Sequence, residues 1–149
     1  MPNWCSNHLR IRGPEEDLAR FKAAAIGYSP WLTAEEKKQE APSCLNFHSL
    51  IPLPEAIIQA GCNGDAYDCE LKLWGTKWGA CNATLVDEDE VHLLYDFDTA
   101  WSPPVAFLKN VGVLWPQLVF LLDYDEMGNG FKGITRAEGE SFEDHCVSY

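Results

Sequence analysis

The sequence predicts an α+β protein of the ferredoxin-like kind, an antiparallel sheet with two helices on one face and a long insertion after the first helix. Three observations carry this. Strand-like alternation opens and closes the chain, helical spacing follows a strand twice, and glycine or proline marks nearly every junction. In order the chain reads strand, helix, irregular segment, strand, strand, helix, strand, then one more hairpin strand. That is a split βαβ plan used twice.

From Cys5 to Arg12 the odd positions Cys5, Asn7, Leu9 and Ile11 form a mostly apolar row, and His8, Arg10 and Arg12 a polar one. Period-two alternation buries one face of a strand and wets the other. Gly13-Pro14 ends the strand, and Pro14 suits the first position of a helix. Glu15, Glu16 and Asp17 favour the positive end of that helix's dipole. Leu18, Phe21, Ala24 and Ala25 make its inward stripe, and Gly27 stops it.

Residues 28–79 read as an insertion within a single domain spanning 1–149. Thr33 to Glu40 is expected as a short polar helix between Pro30 and Pro42. Leu45 to Leu53 is expected as a strand running into the turn Pro52-Leu53-Pro54. Glu55 to Ala60 reads as a helical turn, and Gly61 onward as loop. A stretch this long without clear periodicity is usually an insertion with a role of its own, or poorly ordered.

Regular patterning returns with a strand at Asn82 to Asp87 and another at Val91 to Asp98, joined by the acidic turn Asp87-Glu88-Asp89-Glu90. Ser102 is expected to cap a helix opened by Pro103-Pro104, with Val105, Phe107, Leu108 and Val111 inward. Gln117 to Tyr124 is the most apolar strand and is expected to be central. Gly128-Asn129-Gly130 turns into a strand at Phe131 to Arg136, and the tail to Tyr149 is expected to add an edge strand.

Length and charge bound the function. A 149-residue chain buries roughly 70% of its unfolded surface and needs no covalent staple. Its 23 acidic residues against 11 basic ones give a net charge of −12. Nucleic acid and acidic lipid are disfavoured partners, because both need a basic face to displace counterions. A basic protein partner is compatible with that charge, which solubility explains equally well. The longest apolar run, Leu118 to Leu122, falls far short of the roughly 20 residues a spanning helix needs. The opening Met1-Pro2-Asn3-Trp4-Cys5 lacks the pattern of a secretory signal. Cysteines 5, 44, 62, 69, 81 and 146 show no tight pairing, so reduced thiols in a cytoplasm are expected.

Several strings carry a resemblance. Met1-Pro2-Asn3-Trp4-Cys5-Ser6-Asn7, Trp74-Gly75-Thr76-Lys77-Trp78, Thr99-Ala100-Trp101-Ser102-Pro103-Pro104 and the glycine turn before Phe131-Lys132-Gly133 occur in that order. Together they resemble the YubB ferredoxin-like family of plasmid and phage proteins, over nearly the whole chain. The resemblance implies a ferredoxin-like fold and a mobile-element origin, and no particular activity. The segment Gly27 to Cys44 matches least.

Candidate binding residues are Trp74, Thr76, Lys77, Trp78, Trp101 and Ser102, with Trp4 nearby. Indoles beside a lysine and hydroxyls suit an aromatic pocket or an interaction hot spot. The plainer alternative has the rings buried over the sheet and Lys77 tied to a carboxylate. For metal, His8, His48, His92, His145 and the six cysteines offer ligand types without the close pairs of a zinc site, although His8 and His92 fall on neighbouring polar rows. The Pro2 amine, if freed, would be a base or nucleophile. Asp96 with Asp98, and Asp123 with Asp125, share strand faces as a solvated acidic surface or as paired acids, with Glu126 adjacent. No nucleophile elbow, phosphate loop or zinc-protease motif occurs, so no catalytic residue, metal or cofactor is assigned. Three readings follow: an acidic, non-enzymatic interaction module with a basic partner, a small-molecule binder or enzyme using the Trp74/Trp78/Trp101 region, and a self-assembling module.

Overall fold

A computed structural model covers residues 1–149. Six strands, β1 (Trp4–Arg12), β2 (Lys77–Glu88), β3 (His92–Ala100), β4 (Val119–Glu126), β5 (Phe131–Glu138) and β6 (Ser141–Ser148), form one sheet. Their spatial order is β2-β3-β1-β4-β5-β6 and every neighbouring pair is antiparallel. The first four strands in that order make the ferredoxin-like plan, and β5 and β6 extend it past β4. Six helices complete the chain: α1 (Glu15–Ala24), α2 (Ala34–Gln39), α3 (Phe47–Leu50), α4 (Glu55–Ala60), α5 (Gly64–Trp74) and α6 (Val105–Leu114).

The alternation read at the amino terminus is realised in β1, whose Cys5, Asn7, Leu9 and Ile11 are buried while the residues between them face solvent. Leu93, Tyr95 and Phe97 of β3 and Phe120, Leu122 and Tyr124 of β4 continue the covered face. The helices pack there. Phe21 of α1 meets Trp115 and Phe120 edge-on at 5.3 and 5.5 Å. Phe47 stacks on Phe107 of α6 at 3.9 Å and touches Trp74 and Phe97 edge-on, both at 5.9 Å. Aromatic pairs of this geometry add about 0.5–1.5 kcal/mol each to ordinary burial. The other face of the sheet carries no helix.

Several local expectations require correction. Pro14 sits one place earlier than expected, as the cap residue of α1, its carbonyl taking the first helical hydrogen bond from Leu18. Leu45 to Leu53 is not a strand. Leu45, Phe47, Leu50, Ile51 and Leu53 are all buried, a set no single strand face presents. Asn46 instead caps the one-turn helix α3 by accepting the Ser49 N–H at 2.8 Å. Residues 64–74, read as loop, form the helix α5, started by the Asn63 side chain and closed by Gly75 in the left-handed conformation. α3 and α5 therefore join α1 and α6 on the covered face. Strand β2 begins at Lys77 rather than Asn82. The Thr33 helix forms as expected, with a capping box between Thr33 and Glu36.

The two added strands are tied down through a glycine. The Tyr124 hydroxyl passes over Gly133 to donate to Asp144 Oδ1 of β6 at 3.0 Å, and Thr135 donates to the same oxygen at 2.7 Å. A Cβ at position 133 would collide with the Tyr124 phenol and the His145 carbonyl. Gly133→Ala is therefore expected to cost about 1–3 kcal/mol. Chemical denaturation of the variant checks this, and unchanged stability would refute the role given to this crossing.

Candidate functional site

The corner where β2 begins, the β3–α6 turn and α5 meet gathers most of the exposed aromatic rings. Lys77 of β2 and Trp4 of β1 both pair with Ala100 of β3, and opposed residues share a face. Trp101 follows Ala100 directly, and Trp78 follows Lys77. Trp78 and Trp101 are each 41% exposed and lie 6.3 Å apart. Tyr67, from α5, and Trp4 are each 38% exposed.

The Lys77 ammonium sits among these rings. Its Nζ lies 4.5 Å from the Trp78 ring centre, 5.3 Å from Trp101 and 5.5 Å from Tyr67. All three are within cation–π range. The expected tie between Lys77 and a carboxylate is absent, since no acidic oxygen lies within 4 Å of its nitrogen. Beneath the rings a cleft of about 290 Å³ is bounded by Asn63, Tyr67, Glu70, Lys77 and Trp78.

The backbone presenting the indoles is strained. Trp78 has φ of 70° and Trp101 of 63°, a left-handed region that costs a side-chain-bearing residue of the order of 1 kcal/mol or more. Each position is held by a specific contact. The Trp78 N–H donates to the carboxylate of Glu70, which is 1% exposed. The Trp101 N–H donates to the Asn3 carbonyl at 2.8 Å. Pairing between β2 and β3 shifts register three times along this edge. Bulges of that kind bend an edge strand and re-aim its side chains.

The remaining candidates divide between scaffold and surface. Trp74 is not part of the exposed cluster. It is 1% exposed in the core, and its indole N–H donates to the Ile51 carbonyl at 2.9 Å. Thr76 is fully buried and donates to the Ala100 carbonyl at 3.1 Å. Ser102 does not cap the following helix. Pro104 takes the cap position, and the Ser102 hydroxyl donates instead to the Gly75 carbonyl at 2.7 Å. Gly75 has φ of 78°, and its Cα lies so close to the first amides of α6 that an added Cβ would be about 3.1 Å from the Ala106 nitrogen. Thr76, Ser102 and Gly75 thus lock the α5–β2 turn against the β3–α6 turn. They position the rings that Trp78 and Trp101 expose.

The sequence pattern does not single out Tyr67 and Glu70, because the expectation of loop after Gly61 hides the helix that carries them. The signals were present. Asn63 is a good helix cap, Ala66, Cys69, Leu73 and Trp74 follow at helical spacing, and Gly75 ends the run.

The other sequence candidates lie apart. His8 Nδ1 pairs with Asp96 at 2.6 Å, whereas His92 binds Asp87 and Asp89, so the two histidines do not share a site. No three metal-ligating side chains converge anywhere in the chain. Asp96, Asp98, Asp123 and Asp125 line the open face through register, flanking His8 and Ser6. Glu126 points to the covered side, where it is buried and accepts amides of Gly128 and Asn129. It closes the β4–β5 hairpin. All six cysteines are free, and burial pushes the Cys5 thiol up to about 12.

Burial also raises the pKa of Glu70 above the ordinary carboxylate range, opposed by its hydrogen bond from Trp78 and by the nearby Lys77 charge. A folded-state value above the unfolded one gives stability that is complete at low pH and falls as pH rises through the raised value. Glu70→Gln, neutral throughout, is expected to lose that dependence. Its melting temperature relative to the parent should rise between about pH 4 and pH 7. Thermal unfolding at both values is the measurement, and a relative fall would contradict the assignment.

Comparison with known proteins addresses the fold. Residues 73–146 match a family model described as the ferredoxin-like domain in Api92-like protein. No curated protein matches the chain. The crystal structure of a protein api92 from Yersinia pseudotuberculosis is similar over 100% of this chain and 98% of that one, with a TM-score of 0.75 at 12% identity. The chain has a ferredoxin-like fold, and its carboxy-terminal half matches the domain found in Api92-like proteins.

Proposed function

We propose that this chain is a non-enzymatic interaction module that binds a basic protein partner through its exposed aromatic cluster and the acidic open face of its sheet. The single observation that carries the reading is the display of Trp78 and Trp101 on strained backbone, with Trp4 and Tyr67 beside them. Strain held at an exposed aromatic surface costs stability that packing does not recover, which favours a role in recognition. Tryptophan and tyrosine are also the residues that dominate interface energetics.

Charge supports the sign of the partner. Asp98 and Asp125 occupy the row flanking Ser6, two residues along β1 from Trp4, and Asp96 and Asp123 the row beyond. Arg10, Arg12 and Arg136 lie farther along the same face, where Glu143 opposes Arg136, and Lys132 opposes Asp125, so the carboxylates are densest around Ser6 and His8. A net charge of −12 steers cations toward the chain. A mobile-element origin follows from the resemblance to the YubB family, and free thiols favour a reducing cytoplasm. No helix is long and apolar enough to cross a membrane.

A second reading, small-molecule binding, draws on the cleft of about 290 Å³ under Trp78. That volume lies at the lower bound for ligand pockets, so a side chain suits it better than a cofactor.

The test uses a lysine-rich peptide as probe. Calorimetric binding is expected to weaken with added salt and to fall about tenfold or more in the Trp78→Ala/Trp101→Ala double variant. Binding that ignores both tryptophans, or a preference for an oligonucleotide over the peptide, would overturn the proposal.

A further inference from the structure

The ammonium of Lys77 is the one ligand-like group in the aromatic cluster, and its surroundings set it apart from the other lysines. Like Lys37, Lys72, Lys109 and Lys132 it makes no ion pair, but Lys37 and Lys109 each meet a single ring and Lys77 meets three. Its nitrogen is ringed instead by the faces of Trp78, Trp101 and Tyr67, all within 5.5 Å. Three aromatic faces about one ammonium form a cation cage. Two of those rings stand on left-handed backbone, and the third comes from α5, which also supplies Glu70 to hold the Trp78 amide. The cage is built from three separate elements, and Lys77 is the only cation in it.

We propose that Lys77 is a tethered placeholder in an alkylammonium site, and that a lysine side chain of the partner takes its position on binding. This deepens the proposed function and rests on it, because it names the chemistry that the basic partner presents. Lysine suits the placeholder role. Its stem has four rotatable bonds, so the head group can swing to water without moving β2. With the site so occupied, the rings are not left as a bare apolar patch, and only a cation that meets both the rings and the nearby carboxylates displaces it. An anionic ligand held by Lys77 is the opposite possibility. The surrounding charge disfavours it, since Glu70 shares the cleft with Lys77 and Trp78, and Asp98 stands two residues before Ala100, the strand partner of Lys77.

The experiment compares Lys77→Met with Lys72→Met, which removes the same charge from an exposed position on α5 without touching the rings. Lys77→Gln serves as a second cage-emptying variant should the methionine disturb folding. The expected result is about a tenfold gain in affinity for the lysine-rich peptide on emptying the cage, little change in Lys72→Met, and loss of the gain when Trp101→Ala is added. Tetramethylammonium should shift the Trp78 and Trp101 indole signals in the emptied variants and leave the parent unchanged. Equal gains in Lys77→Met and Lys72→Met would reduce the effect to net charge and overturn the placeholder. So would a gain that survives Trp101→Ala, or tighter binding of a carboxylate peptide to the parent than to Lys77→Met. If tetramethylammonium enters the emptied cage while no basic peptide binds any form, the cation site stands and the basic-partner reading fails. If the peptide binds through the tryptophans without any Lys77 effect, the reading stands and the placeholder fails.

Discussion

The buried carboxylate of Glu70 and the backbone amide of Trp78 form the contact on which the surface chemistry depends. A carboxylate that is 1% exposed needs donors, and here it takes a main-chain N–H from a residue in left-handed conformation. The buried Trp31 indole nitrogen lies beside the same carboxylate and favours its ionised form, while the Trp78 N–H makes the directed hydrogen bond to it. Glu70 therefore relies on Trp78, and Trp78 on Glu70. Remove that pairing and the left-handed turn loses its compensation, β2 is free to straighten, and the indole loses its aim. The structure converts one buried charge into a fixed surface orientation.

That conversion works because the turns on either side are locked. Gly75 ends α5 in a conformation an L side chain adopts only with strain, and its carbonyl receives the Ser102 hydroxyl. The Asn110 side chain donates to the Leu73 carbonyl at 2.9 Å, fastening the last turn of α5 to α6. Two connections far apart in sequence are thereby held as one unit above the sheet. The open edge of β2 carries bulges rather than a straight ladder of unpaired amides, which also discourages edge-to-edge association.

Much of this fold is legible in the sequence, and the misses have a common cause. Strands with clean alternation, such as Cys5 to Arg12 and Val91 to Asp98, lie where their apolar rows place them, because a sheet with one covered face imposes that period. The region 28–79 resists the same logic. Leu45, Phe47, Leu50, Ile51 and Leu53 are all buried, Phe47 against Phe107, so burial in this segment follows local packing rather than a period. α5 carries a polar outer face and a buried glutamate, which masks its helical spacing, and with it the roles of Tyr67 and Glu70. The tryptophan strings marked the right place. They did not separate Trp74, a core residue, from Trp78 and Trp101 at the surface, because the division depends on left-handed backbone that only tertiary contacts impose. Ser102 misled for a similar reason: its hydroxyl finds a carbonyl 27 residues away instead of the next helix.

The proposed binding mode brings a cationic partner to the rings of Trp78, Trp101 and Tyr67, with Trp4 at their margin. The six tryptophan side chains give six indole N–H resonances in an isotopically labelled sample. Titration with a lysine-rich peptide should move those of Trp78 and Trp101 most, that of Trp4 less, and leave those of Trp31, Trp74 and Trp115 in place. Shifts confined to the arginine-bearing end of the sheet, or a set of indole signals that does not respond at all, would contradict it.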